Sequence, residues 1–222
     1  QPREGELYWH TNIEHIDMRK GQWLILARNN YMLSTVEQQC RLEGFFYQRN
    51  NRKSVSELLL NAILDWEQLR KQGKITIAQV RNIYKYMTAD KGVSKSHKSL
   101  KAIFDDTLVN IQDLSSSYGL LTMAIWHEAF DKVSDKEKQY LIACLRRGEK
   151  FTKEPRIKIS TIHGAKGSEA DNVVVLTDIG QKSWLQMQKD PDDEIRVFYV
   201  ALTRVKENLH IIQPTTSRAF IL

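Results

Sequence analysis

Thr161 to Val175 reads TIHGAKGSEADNVVV and sets two glycines, a histidine, a lysine and an acid in front of an apolar run. Gly164 and Gly167 permit unusual dihedrals and a close backbone approach to a ligand. His163 and Lys166 can then meet a phosphate backbone, while Glu169 can accept hydrogen bonds from a sugar hydroxyl. The stretch is not a P-loop, in which the lysine follows the second glycine and a helix opens behind it. Lys166 precedes Gly167, and Val173-Val174-Val175-Leu176 continues as a strand. A loop after a buried strand falls at the carboxyl end of a parallel sheet, where α/β proteins bind ligands. The same composition also suits a surface turn with an incidental histidine.

A second group lies in DEIRVFYVALTR, Asp193 to Arg204. Helical spacing puts Ile195, Phe198, Leu202 and Val205 on one buried face and leaves Arg196, Thr203 and Arg204 free. An arginine held by a rigid helix suits a transferring phosphoryl group, because its guanidinium offers planar, permanently charged, bidentate donors. Solvated arginines on a half-exposed helix are the plainer alternative.

The elements that must position these residues are legible in outline. Trp23 to Ala27 (WLILA) reads as a strand buried on both faces. Arg28-Asn29-Asn30 turns the chain, Met32 to Leu42 recurs at helical spacing, Gly44 stops that helix, and Phe45-Phe46-Tyr47 restarts a strand. From Ser54 to Arg147 the period is helical, with expected capping boxes at Ser54/Glu57, Thr76/Gln79 and Ser134/Glu137. Helices are expected within Leu100–Leu114, Leu120–Phe130 and Tyr140–Leu145, with Thr88–Ser99 as a polar connector, and the lysines from Lys91 to Lys101 suit either a solvated face or duplex DNA. Strand character returns at Ile157–Ser160, Val173–Leu176 and Leu209–Ile212, with a helix over Asp193–Lys206. The expected fold is α/β: a discontinuous parallel-sheet domain, residues 1–50 with 151–222, interrupted by an inserted helical subdomain, residues 51–150.

Composition narrows the partners. With 33 Lys+Arg against 27 Asp+Glu, the net charge is +6 and the isoelectric point about 9.2, which suits a polyanionic partner or, equally, an ordinary mixed-charge soluble surface. Cys40 and Cys144 fall in apolar helical patterns, which gives no disulfide framework and no cysteine metal site. There is no run of about 18 apolar residues and no signal-peptide core, so a soluble, cytoplasmic chain without membrane contact is expected. The absence of an initiator methionine suggests a fragment or processed piece.

Taken together, TIHGAKGSEADNVVV and DEIRVFYVALTRVKENLHII resemble motifs V and VI of the UvrD/Rep/PcrA-type superfamily-one DNA helicases. GQWLILARNNYMLSTVEQQCRLEGFFY resembles the start of their second RecA-like domain. The resemblance covers about the first fifty and last seventy residues and implies a RecA-like second motor lobe. Arg204 would reach the γ-phosphate of ATP, with Arg196 supporting it and Gly167 and Glu169 turned toward the nucleotide. Thr161, His163, Lys166, Arg28 and Asn30 would face single-stranded DNA, and Tyr199 and Thr203 would brace the motif VI helix. The implied partners are single-stranded DNA, junctions with duplex, and the N-terminal RecA-like lobe of the same protein. That lobe would hold the Mg²⁺ that accompanies ATP, so no metal ligand is expected in this chain. Movement from 3′ to 5′ is implied by the resemblance alone. Two positions depart from the pattern: Ser168 stands where the family has a large apolar residue, and Ala170 where it has an aromatic. No Gly-x-x-x-x-Gly-Lys-Ser/Thr is present, and Asp105-Asp106 and Asp192-Asp193-Glu194 do not follow an apolar strand as a Mg²⁺-binding pair would. The chain alone is therefore expected to hydrolyse no ATP. A non-catalytic nucleic-acid-binding or partner-docking module, and the helicase part of a helicase–nuclease, remain as alternatives.

Overall fold

The computed structural model describes residues 5–222, apart from the side chains of residues 96–99. Glu6–His10 is β1, Trp23–Ala27 β2, Leu33–Glu43 α1, Tyr47–Arg49 β3 and Arg52–Lys53 β4. Then come Glu57–Arg70 (α2), Ile75–Thr76 (β5), Ile77–Tyr84 (α3), Leu108–Val109 (β6), Ile111–Ser117 (α4) and Trp126–Ala129 (α5). Asp135–Arg146 (α6), Ile157–Thr161 (β7), Ala170–Leu176 (β8), Gln181–Met187 (α7), Asp192–Leu202 (α8) and Val205–Ile212 (β9) complete the chain. Two compact units result, one running up to Ser54 and resuming at Ala143–Leu222, the other Val55–Ile142.

The first unit is built on a seven-stranded sheet of order β1-β9-β8-β2-β7-β3-β4, with every pairing parallel except the β3–β4 hairpin. This is the mostly parallel, helix-covered sheet of a RecA-like lobe. Its centre is β2, every residue of which is buried, and that is why WLILA carries no alternation. On one face, Leu24, Leu26, Val173, Val175 and Ile211 pack with Phe198 and Ala201 of α8. At the C-terminal end of α1, Gly44 adopts φ +70°, and the Phe45 N–H returns to the Cys40 carbonyl at 2.8 Å. The same helix end ties down both crossings of the chain into the inserted unit. Arg41 donates to the Ser54 carbonyl at 2.8 Å, Arg147 pairs with Glu43 at 2.5 Å, and a side chain on Gly44 would meet the Ala143 backbone at 2.7 Å.

β1 has no counterpart among the expected strands. Its sequence, ELYWH, is mostly exposed at the sheet edge, so neither an apolar run nor clean alternation marks it. It is pinned by rings. The His210 ring stacks on Tyr8 at 4.9 Å and on His10 at 5.2 Å, with His10 Nε2 at 3.0 Å from His210 Nδ1. Burial, and then the neighbouring His10, push the His210 pKa down from 6.5 to about 4. The folded state thus keeps His210 neutral where the unfolded chain takes up a proton. Stability is full above pH 6.5 and is lost progressively as pH falls toward 4. Thermal melts at pH 7 and pH 5 are expected to show this loss, and His210→Phe to flatten it.

The inserted unit departs from the expected helices. A capping box forms at Thr76/Gln79, as expected, but α2 is capped by Ser56, whose side chain accepts from Leu59 N–H, rather than from Ser54. Leu100–Leu114 is not one helix: a 3₁₀ segment ends at Ala102, β6 follows, and Asn110 opens α4 with a second capping box. The turn formers Asp105 and Asp106 interrupt the run. Within Leu120–Phe130 only α5 is helical; Leu121 and Met123 are exposed, and the Ala124 carbonyl between these elements accepts from Trp66 Nε1 at 3.0 Å. In the lysine-rich connector, Lys91 pairs with Asp131 at 3.6 Å and Lys95 with Asp90 at 3.0 Å, while the Lys98 side chain lies outside the described residues.

Candidate functional site

Residues 162–169 join the carboxyl end of β7 to the amino end of β8, and β2 lies between those two strands. The connection therefore crosses the sheet face over β2 as a strap. Ile162 and Ala165, each 2% exposed, hold it down against Leu24 and Leu26. Its polar residues point away from this anchor: His163, Lys166, Gly167 and Glu169 are all exposed. The stretch is thus a structural crossover rather than a surface turn. Thr161 Oγ1 accepts the Gly164 N–H at 3.1 Å, and a side chain on Gly164 would meet Ser160 Oγ at 2.6 Å, which accounts for that glycine. Gly167 takes φ +80°, the second position in the strap where glycine is required. Glu169 faces Lys206 at 3.9 Å across an open surface.

Helix α8 runs beside the strap, back toward the amino end of β8, where Arg204 O accepts the Ala170 N–H at 3.2 Å. Between them opens a cleft of about 370 Å³, with Ile162, Val197 and Val200 as its apolar part and His163, Lys166, Arg196 and Arg204 around it. The cleft brings residues assigned to the DNA strand together with residues assigned to the nucleotide. Arg204 donates from Nε to the Val200 carbonyl at 3.0 Å and from Nη2 to Thr203 Oγ1 at 3.2 Å. These bonds cap the C-terminal turn of α8 and orient the guanidinium, leaving Nη1 without a partner among the described residues. Arg196 is exposed and pairs with Asp193 at 3.7 Å.

Thr161, Arg28 and Asn30 do not line this cleft; they follow or end strands β7 and β2 at the carboxyl edge. Arg28 makes a bidentate pair with Glu194, Nε to Oε2 at 2.7 Å and Nη2 to Oε1 at 2.8 Å. Glu194 is 3% exposed in the first turn of α8. Asn30 is held from behind, its carbonyl and Oδ1 accepting from Arg49 at 2.8 and 2.9 Å, and Arg49 is paired in turn with Glu37. Asn29 Oδ1 accepts the Gly180 N–H at 2.7 Å and locks the turn after β2 to the turn after β8.

Two expectations for α8 are corrected. Tyr199 is 66% exposed and Ile195 49%, so neither braces the helix from inside. Together with Arg196 they form its outward face, whereas Phe198 and Ala201 carry the packing. Glu194 escaped the sequence reading because a carboxylate one residue from Asp193 looks like an ordinary first-turn acid, and nothing local reports a partner 166 positions away. Among the described residues no group of three or more His, Cys, Asp or Glu is arranged to hold a metal ion. No helix there is long and apolar enough to cross a membrane.

The family model described as the UvrD-like helicase C-terminal domain matches residues 13–216. A comparison with curated proteins finds no match.

Proposed function

Since the chain belongs to the UvrD-like helicase C-terminal domain family, we propose that it is the second motor lobe of an ATP-dependent, superfamily-one DNA helicase that moves on single-stranded DNA. The observation that carries this reading is the strap. One short connection holds residues at the carboxyl edge of the sheet and, at its other end, residues beside Arg204 at the amino edge. A displacement of one end is transmitted to the other through a segment anchored on the core, which is what coupling a nucleotide site to a strand site requires.

The residues present fit a nucleotide's phosphates. Arg196, Lys166 and Arg204 surround an apolar-walled cleft, Gly167 has open space where a side chain would stand, and Arg204 keeps a free Nη1. ATP, bound with the Mg²⁺ that the N-terminal lobe holds, supplies the phosphoryl group whose transfer drives the cycle. Arg204 stabilises charge on the transferring group, as an arginine finger does. Arg196 adds a second cation on the same side, and Glu169 accepts from the ribose hydroxyl. At the carboxyl edge Thr161, His163, Asn30 and the free edge of Arg28 grip the strand, and Lys166 bridges the two ends. Without the lobe that carries the P-loop, the chain hydrolyses no ATP.

Reconstitution with that lobe, assayed for ATP hydrolysis with and without single-stranded DNA, tests the reading. DNA-stimulated hydrolysis is expected; ATPase activity by the isolated chain would overturn the division of labour. Strand affinity of the isolated chain is also expected to fall steeply with salt, because each neutralised phosphate releases counterion. A binding titration at two salt concentrations checks this, and a flat response would argue against phosphate contacts. Retention of Glu169 and Arg204 weighs against the non-catalytic module, which has no use for a ribose acceptor and a phosphate finger.

A further inference from the structure

On the α8 face of the sheet the pairing registers align two apolar rows across four strands. Leu24, Val173, Leu209 and Leu7 form one, and Leu26, Val175, Ile211 and Trp9 the other. The first three members of each row belong to the core under α8 or pack against it. The last members do not: Leu7 is 56% exposed and Trp9 51%. Both stand on β1, the terminal strand of the sheet. No proline, lysine or bulge interrupts this strand, and those are the devices that usually keep such an edge from pairing.

The backbone fixes which groups the edge offers. The Gln213 N–H donates to the His10 carbonyl at 2.8 Å, so in this parallel ladder Glu6, Tyr8 and His10 turn their amide groups toward β9. Leu7 and Trp9 turn theirs outward. A strand added at this edge would therefore bond to Leu7 and Trp9. The sequence ELYWH is complementary to itself when laid antiparallel about Tyr8. Leu7 then opposes Trp9 of the second copy in two hydrogen-bonded pairs, Tyr8 opposes Tyr8 between them, and Glu6 opposes His10 at both ends. His10 directs Nε2 to His210 at 3.0 Å and keeps Nδ1 for that carboxylate. Neither this Nδ1 nor the Glu6 carboxylate has a partner among the described residues.

We propose that two copies of the chain pair edge to edge through β1, antiparallel about a two-fold axis at Tyr8, so that two seven-stranded sheets join into one. Each apolar row then runs on into the other row of the second copy. Leu26, Val175, Ile211 and Trp9 continue into Leu7, Leu209, Val173 and Leu24. The exposed ends of two cores cover each other, and the interface is isologous. With a single strand from each copy it falls in the size class of transient complexes, so association is weak and depends on concentration. The pairing needs neither nucleotide nor nucleic acid.

Sedimentation velocity of the chain over a concentration series is expected to show a monomer–dimer equilibrium. Trp9→Lys, at a half-exposed position beyond the core, is expected to weaken dimerisation by about tenfold or more, because the change is felt in two symmetric cross-strand pairs. Thermal melting of the monomer should stay where it was. Cysteine cross-linking tests the register separately. Opposed residues of a non-hydrogen-bonded antiparallel pair lie about 4.5 Å apart at Cα, within disulfide range, so Tyr8→Cys should give a reducible covalent dimer on air oxidation. Leu7→Cys, which opposes Trp9 rather than itself, should give little. Cys40 and Cys144 are both buried and add no background. A chain that stays monomeric throughout and does not cross-link would overturn the pairing and leave the β1 edge to an extended segment of another protein. A dimer indifferent to Trp9→Lys would overturn it by placing the contact elsewhere, and cross-linking through Leu7→Cys but not Tyr8→Cys would do so by placing the register elsewhere. Should Trp9→Lys fail to fold, the two cysteine variants decide the question alone.

Discussion

Arg204→Ala, in protein reconstituted with its N-terminal lobe, is expected to lower DNA-stimulated ATP hydrolysis about a thousandfold, within the range that loss of an arginine finger produces. The geometry says why the loss should be catalytic rather than structural. Two of the three guanidinium nitrogens are spent on the end of α8, at Val200 O and Thr203 Oγ1. Removing such a helix-end interaction costs only about 0.3–1 kcal/mol, too little to unfold a lobe whose core lies elsewhere. Strand affinity should be nearly unchanged in the absence of nucleotide, because Arg204 lies beside the amino end of β8. Arg204→Lys should recover little, since an ammonium cannot hold the carbonyl, the hydroxyl and a phosphate with one planar fork. An Arg204→Ala enzyme with near-normal turnover would remove the motor assignment of α8.

Arg28→Ala is expected to be the most destabilising single substitution at the site, by about 3–5 kcal/mol, measured by denaturant unfolding. Glu194 is almost wholly buried, and both its carboxylate oxygens are occupied by Arg28. Truncating the arginine leaves a buried anion without its counter-charge, which costs far more than the pair itself contributes. Against a typical stability of about 5–15 kcal/mol the loss is large. Replacing both partners with apolar residues, Arg28→Met with Glu194→Leu, should recover most of it. That doubly substituted chain then isolates the functional question. It is folded but lacks the Arg28 cation, so a drop in strand affinity measures the contribution of Arg28 to DNA directly. Stability unaffected by Arg28→Ala would mean that water reaches Glu194 once the arginine is gone.

How far the sequence carried these arguments depended on burial. β2, β7 and β8 were legible because a strand covered on both faces, or on one, must be apolar in a run or at alternate positions, and Val173 to Val175 and Ile157/Ile159 meet that demand. The edge strand β1 meets neither, since its cohesion comes from stacked rings in strands two hundred residues apart. For α8 the period identified Phe198 but overextended the buried face to Ile195, because period alone does not say how wide the covered stripe is. The strap shows the limit most clearly. Its glycines and cations could be read as a ligand loop, whereas the two apolar anchors, Ile162 and Ala165, acquire meaning only once β7, β2 and β8 lie side by side. In the inserted unit, short apolar runs served 3₁₀ turns, a two-stranded ribbon and extended chain as readily as helices.

The two places where the chain leaves and rejoins the parallel sheet, Ser54 and Ala143, are both tied to one end of α1, through Arg41 and Gly44. An insertion so mounted behaves as a cassette. Its length and content can drift, or be exchanged wholesale, while the scaffold that receives it sees the same two anchor points, and lengthening a closed excursion costs only logarithmically. Evolution can therefore tune what the lobe meets at its periphery, and an engineer can graft there, without renegotiating the register of a single strand in the sheet.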